Sequence, residues 1–377
     1  MSYETLIVIS LRGGADALNM IVPYRDYDYY RLRPSLAISQ PGKALKAAVD
    51  LDGFFGLHPS LSPLLPFYRN GQLAFIHAVG WPGNSHSHFE AWEEIESGAV
   101  GTTHPKSGWL ARYLQLRSPL PPTPLRAVAF AEILPRLLTG ALGVSALRQL
   151  EDFRLAIPKD GHPLHNLLDK LYRNSPSSLG PFGIQTLNAL ATVDQLVSAD
   201  RDKKTARGYP QTTFGAQLHA LEKLIHAEIG LEAASVELGG WDTHFFQGTT
   251  DGLMANRLNE LATGLATFVN NLKDDLDRVL IVVMSEFGRR AGENGSAGTD
   301  HGQAGVMMLL GASVHGGQVY GNWPGLSDAR LATPGDLAIT TDFRDVLSEL
   351  VNVGLGREAS AQIFPDYRAS RVLGVIG

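Results

Sequence analysis

Six short, largely apolar stretches constrain this chain more than any other feature. The first is Thr5-Leu6-Ile7-Val8-Ile9-Ser10-Leu11, and similar runs follow at Leu73 to Val79, Leu125 to Phe130, Ala234 to Leu238, Val279 to Met284 and Val306 to Leu310. A strand with one wet face alternates apolar and polar residues, whereas one that is apolar throughout must be covered on both faces. Helical patterns lie between several of the runs. In the clearest, from about Asn256 to Leu276, Leu258, Leu261, Leu265, Phe268, Val269 and Leu272 share one face just before the run at Val279. Strand, helix, strand is the crossover unit of a parallel sheet, and such units are right-handed. The expectation is a three-layer α/β fold, with a mostly parallel central sheet and helices on both faces.

Residues 1–377 read as a single domain, with 145–231 as a mainly helical insertion. That stretch has helical signals at Leu164 to Arg173 and Phe214 to Ile229, few strand-like runs, and a polar loop around Ala199 to Gln211. No amphipathic stretch stands out beyond those the core needs, so the oligomeric state is not readable. The formal net charge of -6 gives no global attraction to nucleic acid or an anionic membrane. The chain has no cysteine, which removes disulfides, thiolate nucleophiles and cysteine-type zinc sites. Ser2-Tyr3-Glu4-Thr5 carries no basic segment, and Leu6 to Leu11 is too short for a signal or a span. With no export signal in the chain as it stands, a cytoplasmic location is the default expectation.

Open α/β sheets keep their chemistry at the carboxyl ends of the strands, and ligand-type residues cluster after two of these runs. Val236-Glu237-Leu238 leads through two glycines into Trp241-Asp242-Thr243-His244, and Val279 to Met284 leads into Ser285-Glu286-Phe287-Gly288-Arg289-Arg290. Asp300 and His301 then precede the run at Val306. Asp242 and His244 are two apart, so both project to one side if the backbone stays extended. With His301 they form one carboxylate and two imidazoles, a recipe for zinc or another first-row divalent ion. Either pair alone reads more readily as a capping aspartate with a hydrogen-bonded loop histidine. Two clusters at the ends of two central strands tilt the reading toward metal.

Asp16 follows Arg12-Gly13-Gly14, where an acid could reach a cation, although a turn aspartate is the commoner role. Ser87 stands at the start of a helical pattern over Phe89 to Ser97, where the helix dipole favours an oxyanion. It is a candidate nucleophile, and with Glu90 three residues on it is equally a capping box. His86 and His88 flank it as a weak metal signal. Arg289 and Arg290 could clamp a phosphate or sulfate through paired hydrogen bonds, although for one of them a solvated surface position is at least as good a reading.

Taken together, these residues resemble the alkaline-phosphatase-like superfamily, and more closely its branch named domain of unknown function 1501. The resemblance runs nearly end to end. It rests on Leu11-Arg12-Gly13-Gly14-Ala15-Asp16-Ala17-Leu18-Asn19, Gly56-Leu57-His58-Pro59, Ser87-His88-Phe89-Glu90-Ala91, Gly108-Trp109-Leu110-Ala111-Arg112-Tyr113-Leu114, Trp241-Asp242-Thr243-His244, Ser285-Glu286-Phe287-Gly288-Arg289 and Gly298-Thr299-Asp300-His301-Gly302. It implies two metal sites at one sheet edge with a hydroxyl nucleophile between them. Asp242, His244 and His301 resemble the first site. Asp16, Ser87 and Glu286 resemble the second, where Phe287 stands at a usual ligand position and Asp300 or His88 could compensate. Related proteins are often exported, which sets the resemblance against the cytoplasmic default.

The resulting expectation is a metal-dependent hydrolase of a small anionic ester, phosphoester-like rather than a sulfate ester. Ser87 and Arg289 are its catalytic residues, and Asp16, Asp242, His244, Glu286, Asp300 and His301 its metal ligands. It would use one or two divalent ions, zinc first, with manganese, magnesium or calcium as alternatives. The rival expectation is a non-catalytic metal- or anion-binding protein that retains the fold. Neither nucleic acid nor a membrane is expected as a partner.

Overall fold

The computed structural model describes residues 4–83, 85–101, 105–117, 123–155, 163–175, 177, 179–201 and 208–377. Nine strands form its central sheet: β1 (Thr5–Arg12), β2 (Leu73–Gly80), β3 (Ala127–Ala129), β4 (Val144–Ala146), β5 (Ala233–Gly239), β6 (Val279–Ser285), β7 (Gly305–Gly311), β8 (Val319–Tyr320) and β9 (Thr341–Asp342). Their order is β8-β2-β7-β6-β1-β5-β3-β4, and β9 also pairs with β2. All pairings are parallel except those of β7, which runs antiparallel to both β2 and β6.

The apolar runs form these strands because each is enclosed on both sides. In β1, Ile7, Ile9 and Leu11 enter a layer with the helices α5 (Thr213–His226) and α6 (Leu253–Leu272). Leu6 and Val8 face the other layer, built by α1 (His88–Ser97), α2 (Trp109–Arg117) and α7 (Phe343–Leu355). Fully burying a side chain of this kind is worth roughly 1.5–3 kcal/mol, so a run of five fixes β1 at the centre. The expected three layers, with a mostly parallel sheet between helices, are what the chain forms.

Boundaries differ from the sequence reading in two places. The long helix ends at Leu272 and not Leu276, and Lys273 to Arg278 forms a tighter turn opened by Lys273 at φ 51°. Asp274 and Asp275 follow at once, and carboxylates are disfavoured at the negative end of a helix dipole. The run Leu125 to Phe130 yields only the three residues of β3.

Within 145–231, α3 (Pro163–Arg173) and α4 (Leu179–Arg201) precede α5, while residues 202–207 of the expected polar loop lie outside the described residues. The core claims α5 through Phe214, Leu218, Leu221 and Leu224. By contrast α3 leaves Leu164, Leu167 and Leu171 exposed, an apolar stripe beyond the core's needs that the sequence reading did not single out. Among the described residues, no helix is long and apolar enough to cross a membrane.

Register places the site. Arg12 is level with Gly239, and Leu11 with Ser285, so β1, β5 and β6 end together and release their next residues at one edge. No helix lies between β6 and β7, so the chain returns antiparallel instead of crossing over. That reversal brings the residues just before Gly305 back to the edge where β6 ends.

Candidate metal centre

The loop after β5 can reach its neighbours because Gly13 has no side chain. A Cβ there would lie 2.5 Å from the Asp242 amide nitrogen, and φ is +125°, a conformation that side chains resist. Gly298 plays the same part, since its Cβ would fall 2.3 Å from the His244 carbonyl carbon. Asp242 and His244 thus rest on the β1 turn and on the strand-to-strand return that carries His301.

Here the structure brings Asp242, His244 and His301 together. The Nε2 atoms of His244 and His301 are 2.9 Å apart, and each lies 3.0 Å from Asp242 Oδ1. His88 joins them: its Nε2 is 3.7 Å from Asp242 Oδ2, and ligand atoms of His88, Asp242 and His301 all fall within 4.8 Å of one another. The rings of His88 and His244 flank His301 at centroid distances of 4.5 and 4.6 Å.

The far nitrogen of each ring shows which atom is left over. His88 Nδ1 lies 2.6 Å from Glu286 Oε1, His244 Nδ1 lies 3.0 Å from Asp300 Oδ1, and His301 Nδ1 lies 2.9 Å from the His86 carbonyl. A carboxylate or carbonyl only accepts, so every Nδ1 carries the proton and every neutral ring turns its Nε2 lone pair inward. Three lone-pair atoms within 3.0 Å of one another repel unless a proton or a cation lies among them. Tetrahedral zinc with bonds of about 2.0–2.1 Å holds its donors roughly 3.3 Å apart, so this triangle fits such an ion with little adjustment.

Electrostatics favour the same species. Burial works against charge on Asp242, but the hydrogen bond and the positive charge of Arg289 prevail and hold its carboxyl down at about 2. Glu286 is 1% exposed, and its burial is outweighed by His88, the Gly13 amide and Ser285, so it too stays below its ordinary value. Its hydrogen bond raises His88, while desolvation lowers His301.

Four expected roles change. Asp16 is not directed at the cluster: it accepts two bonds from buried Arg33, at 2.5 and 2.9 Å, and one from Gln247 at 2.6 Å. Arg289 cannot grip a substrate, because its side chain is fully buried and donates to the carbonyls of Gly13, Gly14, Trp241 and Thr299 and to Asp242. It positions Asp242 instead. Glu286 and Asp300 stand behind His88 and His244 as the acceptors that orient those rings. Such buttresses have no side-chain signature that separates them from ligands in a sequence.

Phe287 is a wall of the centre. It is 3% exposed, stacks on His88 at 4.9 Å and lies 4.8 Å from the His301 ring. Ser87 takes the expected cap position of α1, yet its side chain makes no capping bond, so the capping box does not form. Sequence reasoning missed Asp336. Its carboxylate is 0% exposed, with His86 Nε2 at 3.4 Å and Arg290 Nε at 3.9 Å. Burial raises its carboxyl, and His86 opposes this. Only its place in the turn Thr333-Pro334-Gly335 was visible in the sequence, and that carries no chemical signal.

Fold and site together define a mostly parallel α/β protein with a cluster of imidazoles and carboxylates at the carboxyl edge of its sheet. The chain belongs to the family described as protein of unknown function (DUF1501), whose model matches residues 3–348. Among solved structures it is similar to the zinc complex of the C-terminal periplasmic domain of EcEptC from Escherichia coli, at 10% identity and a TM-score of 0.40, covering 93% of this chain and 81% of that one. It is also similar to the PsFucS1 sulfatase from Pseudoalteromonas sp., at 9% identity and a TM-score of 0.44, covering 99% and 73%. Alkaline phosphatase from the Antarctic bacterium TAB5 matches at 9% identity and a TM-score of 0.32, covering 85% and 95%. No curated protein matches the sequence. At these identities the chemistry has to come from the chain's own residues.

Proposed function

We propose that this protein is a metal-dependent hydrolase of a small phosphoester-type substrate, working with one divalent ion held by His88, Asp242, His244 and His301. The observation that carries the reading is the convergence of three oriented Nε2 lone pairs on one carboxylate. Three imidazole nitrogens with one oxygen suit zinc or a neighbouring first-row ion better than magnesium or calcium, which prefer all-oxygen shells. Such an ion supplies Lewis acidity toward an ester oxygen.

The chain's own residues do the rest. Glu286, Asp300 and the His86 carbonyl hold the Nδ1 protons, which keeps the three rings oriented. Arg289 fixes Asp242. Phe287 excludes water from behind His88 and His301. The Ser87 hydroxyl, at the amino end of α1 and spent on no cap, is the proposed nucleophile.

The test is elemental analysis of protein purified without added metal, followed by turnover of aryl phosphoesters by wild type and Ser87→Ala. One zinc per chain, with turnover that falls in the variant, is expected. Unchanged turnover removes the serine from the mechanism, and absence of metal removes the reading. Bound metal without any turnover would instead favour a binding protein, which Phe287 at a usual ligand position gives reason to weigh.

A further inference from the structure

Charge at the centre is already balanced before a substrate arrives. The two positive charges of a divalent ion, with those of Arg289 and Arg290, are matched by the four carboxylates Asp242, Glu286, Asp300 and Asp336, which lie within this one network. The guanidinium groups near the cleft, Arg12 in its wall included, already face carboxylates. Arg12 pairs with Glu96 at 2.9 Å and Glu237 at 2.5 Å and stacks on Trp92 at 4.6 Å. Arg33 is spent on Asp16, and Arg136 reaches Glu93 at 3.2 Å. Arg12 is outnumbered by Glu96 and Glu237, so each negative charge added by a substrate falls chiefly to the ion.

Beside the ion's position opens a cleft of about 410 Å³ that includes His88, Asp242, Phe89, Trp92 and Glu96 in its walls. Phe89 is 89% exposed although it directly follows a metal-type ligand, and Phe245 and Phe246, just after His244, are 64% and 77% exposed. Phe246 is not on a loose loop: its amide donates to Ser296, and its φ of +48° is one that a bulky residue rarely adopts. Of these, Phe89 lies in the cleft wall, where its exposed ring offers an apolar group a face to pack on.

We propose that the centre is selective for singly charged diesters, with one aromatic or otherwise apolar alcohol group lying against Phe89, and that it discriminates against dianionic monoesters. This rests on the hydrolase reading and adds the substrate class to it. Overall, one water supplies hydroxide to phosphorus and a proton to the departing alcohol as one P–O bond breaks. The product is a monoester with one more negative charge than the diester, which an already balanced site disfavours further, so reaction stops after one cleavage.

The experiment uses cobalt(II)-substituted protein, whose visible spectrum reports ligands at the ion without any turnover. Titration with diphenyl phosphate, dimethyl phosphate and phenyl phosphate is run beside hydrolysis of bis(para-nitrophenyl) phosphate and para-nitrophenyl phosphate. The diester is expected to lead in kcat/KM by about 100-fold, since unmatched like charge is strongly penalised. Phe89→Ala is expected to weaken diphenyl phosphate by about tenfold, the scale of one lost aromatic contact, and to leave dimethyl phosphate unchanged. Equal or faster monoester turnover, or tighter binding of phenyl phosphate than of diphenyl phosphate, overturns the proposal. If nothing is hydrolysed, tighter diphenyl phosphate still supports the ligand class while the hydrolase reading falls. Protein that takes up no cobalt removes both.

Discussion

His58 and His77 differ from His88, His244 and His301 in which ring nitrogen carries the proton. In the first pair Nδ1 accepts from a backbone amide, Ser60 or Ala78, and Nε2 donates to a carbonyl, Thr249 or Ile21. Both nitrogens are spent inside the protein. In the second group Nδ1 donates to an oxygen, which leaves the Nε2 lone pair for a cation. The aspartates divide likewise: Asp16 gives its oxygens to Arg33 and Gln247, whereas Asp242 keeps a side chain 48% exposed. Residue type therefore does not separate support from chemistry here; the direction of the hydrogen bonds does.

The contrast is most exposed to disproof at Asp16. Asp16→Ala should lower the unfolding free energy by about 3–5 kcal/mol, because Arg33 is left buried and unpaired. Urea denaturation measures that loss, and elemental analysis should find metal content unchanged. A folded variant that has lost its metal would return Asp16 to the ligand set.

Acid should act next on the supporting pair. Burial holds His58 and His77 at about 4, below an ordinary value of 6.5, so unfolded chains bind protons that folded ones refuse. Stability should accordingly fall as pH drops from about 6.5 to about 4, by about 3 kcal/mol per ring, and level off below. Denaturation at stepped pH reads this, and His58→Gln should shrink the drop. A flat profile would mean that these rings titrate freely.

At the rim, His301→Ala should weaken zinc by roughly a hundredfold or more, measured by chelator competition. Unaltered affinity would sink the proposed ligand set. Glu286→Gln should give the smallest effect, about 10–100-fold in the same assay, since it disturbs only the orientation of His88. An effect as large as that of His301→Ala would make Glu286 a ligand in its own right.

Much of this was legible in the chain. Largely apolar runs announced strands covered on both faces, and Asp242, His244 and His301 stood where those strands end. His88 was weaker, one of two histidines around a serine, and its selection over His86 depends on which ring turns toward Asp242. Arg289 was visible as a charge near the site but not as a buried clamp, because five donors facing inward look the same in sequence as five facing water. Asp336 carried no mark at all.

Local pattern set the strands, the long helix, the absence of thiol chemistry and the residue types available at the sheet edge, since periodicity and side-chain chemistry belong to the chain itself. Tertiary structure decided that β7 runs backward, which returns His301 to the edge where β6 ends. It also decided that Asp16 meets Arg33 and that Glu286 stands behind His88. Those outcomes depend on contacts between residues up to 273 positions apart, and a hydrogen bond acquires its direction only when both partners are in place.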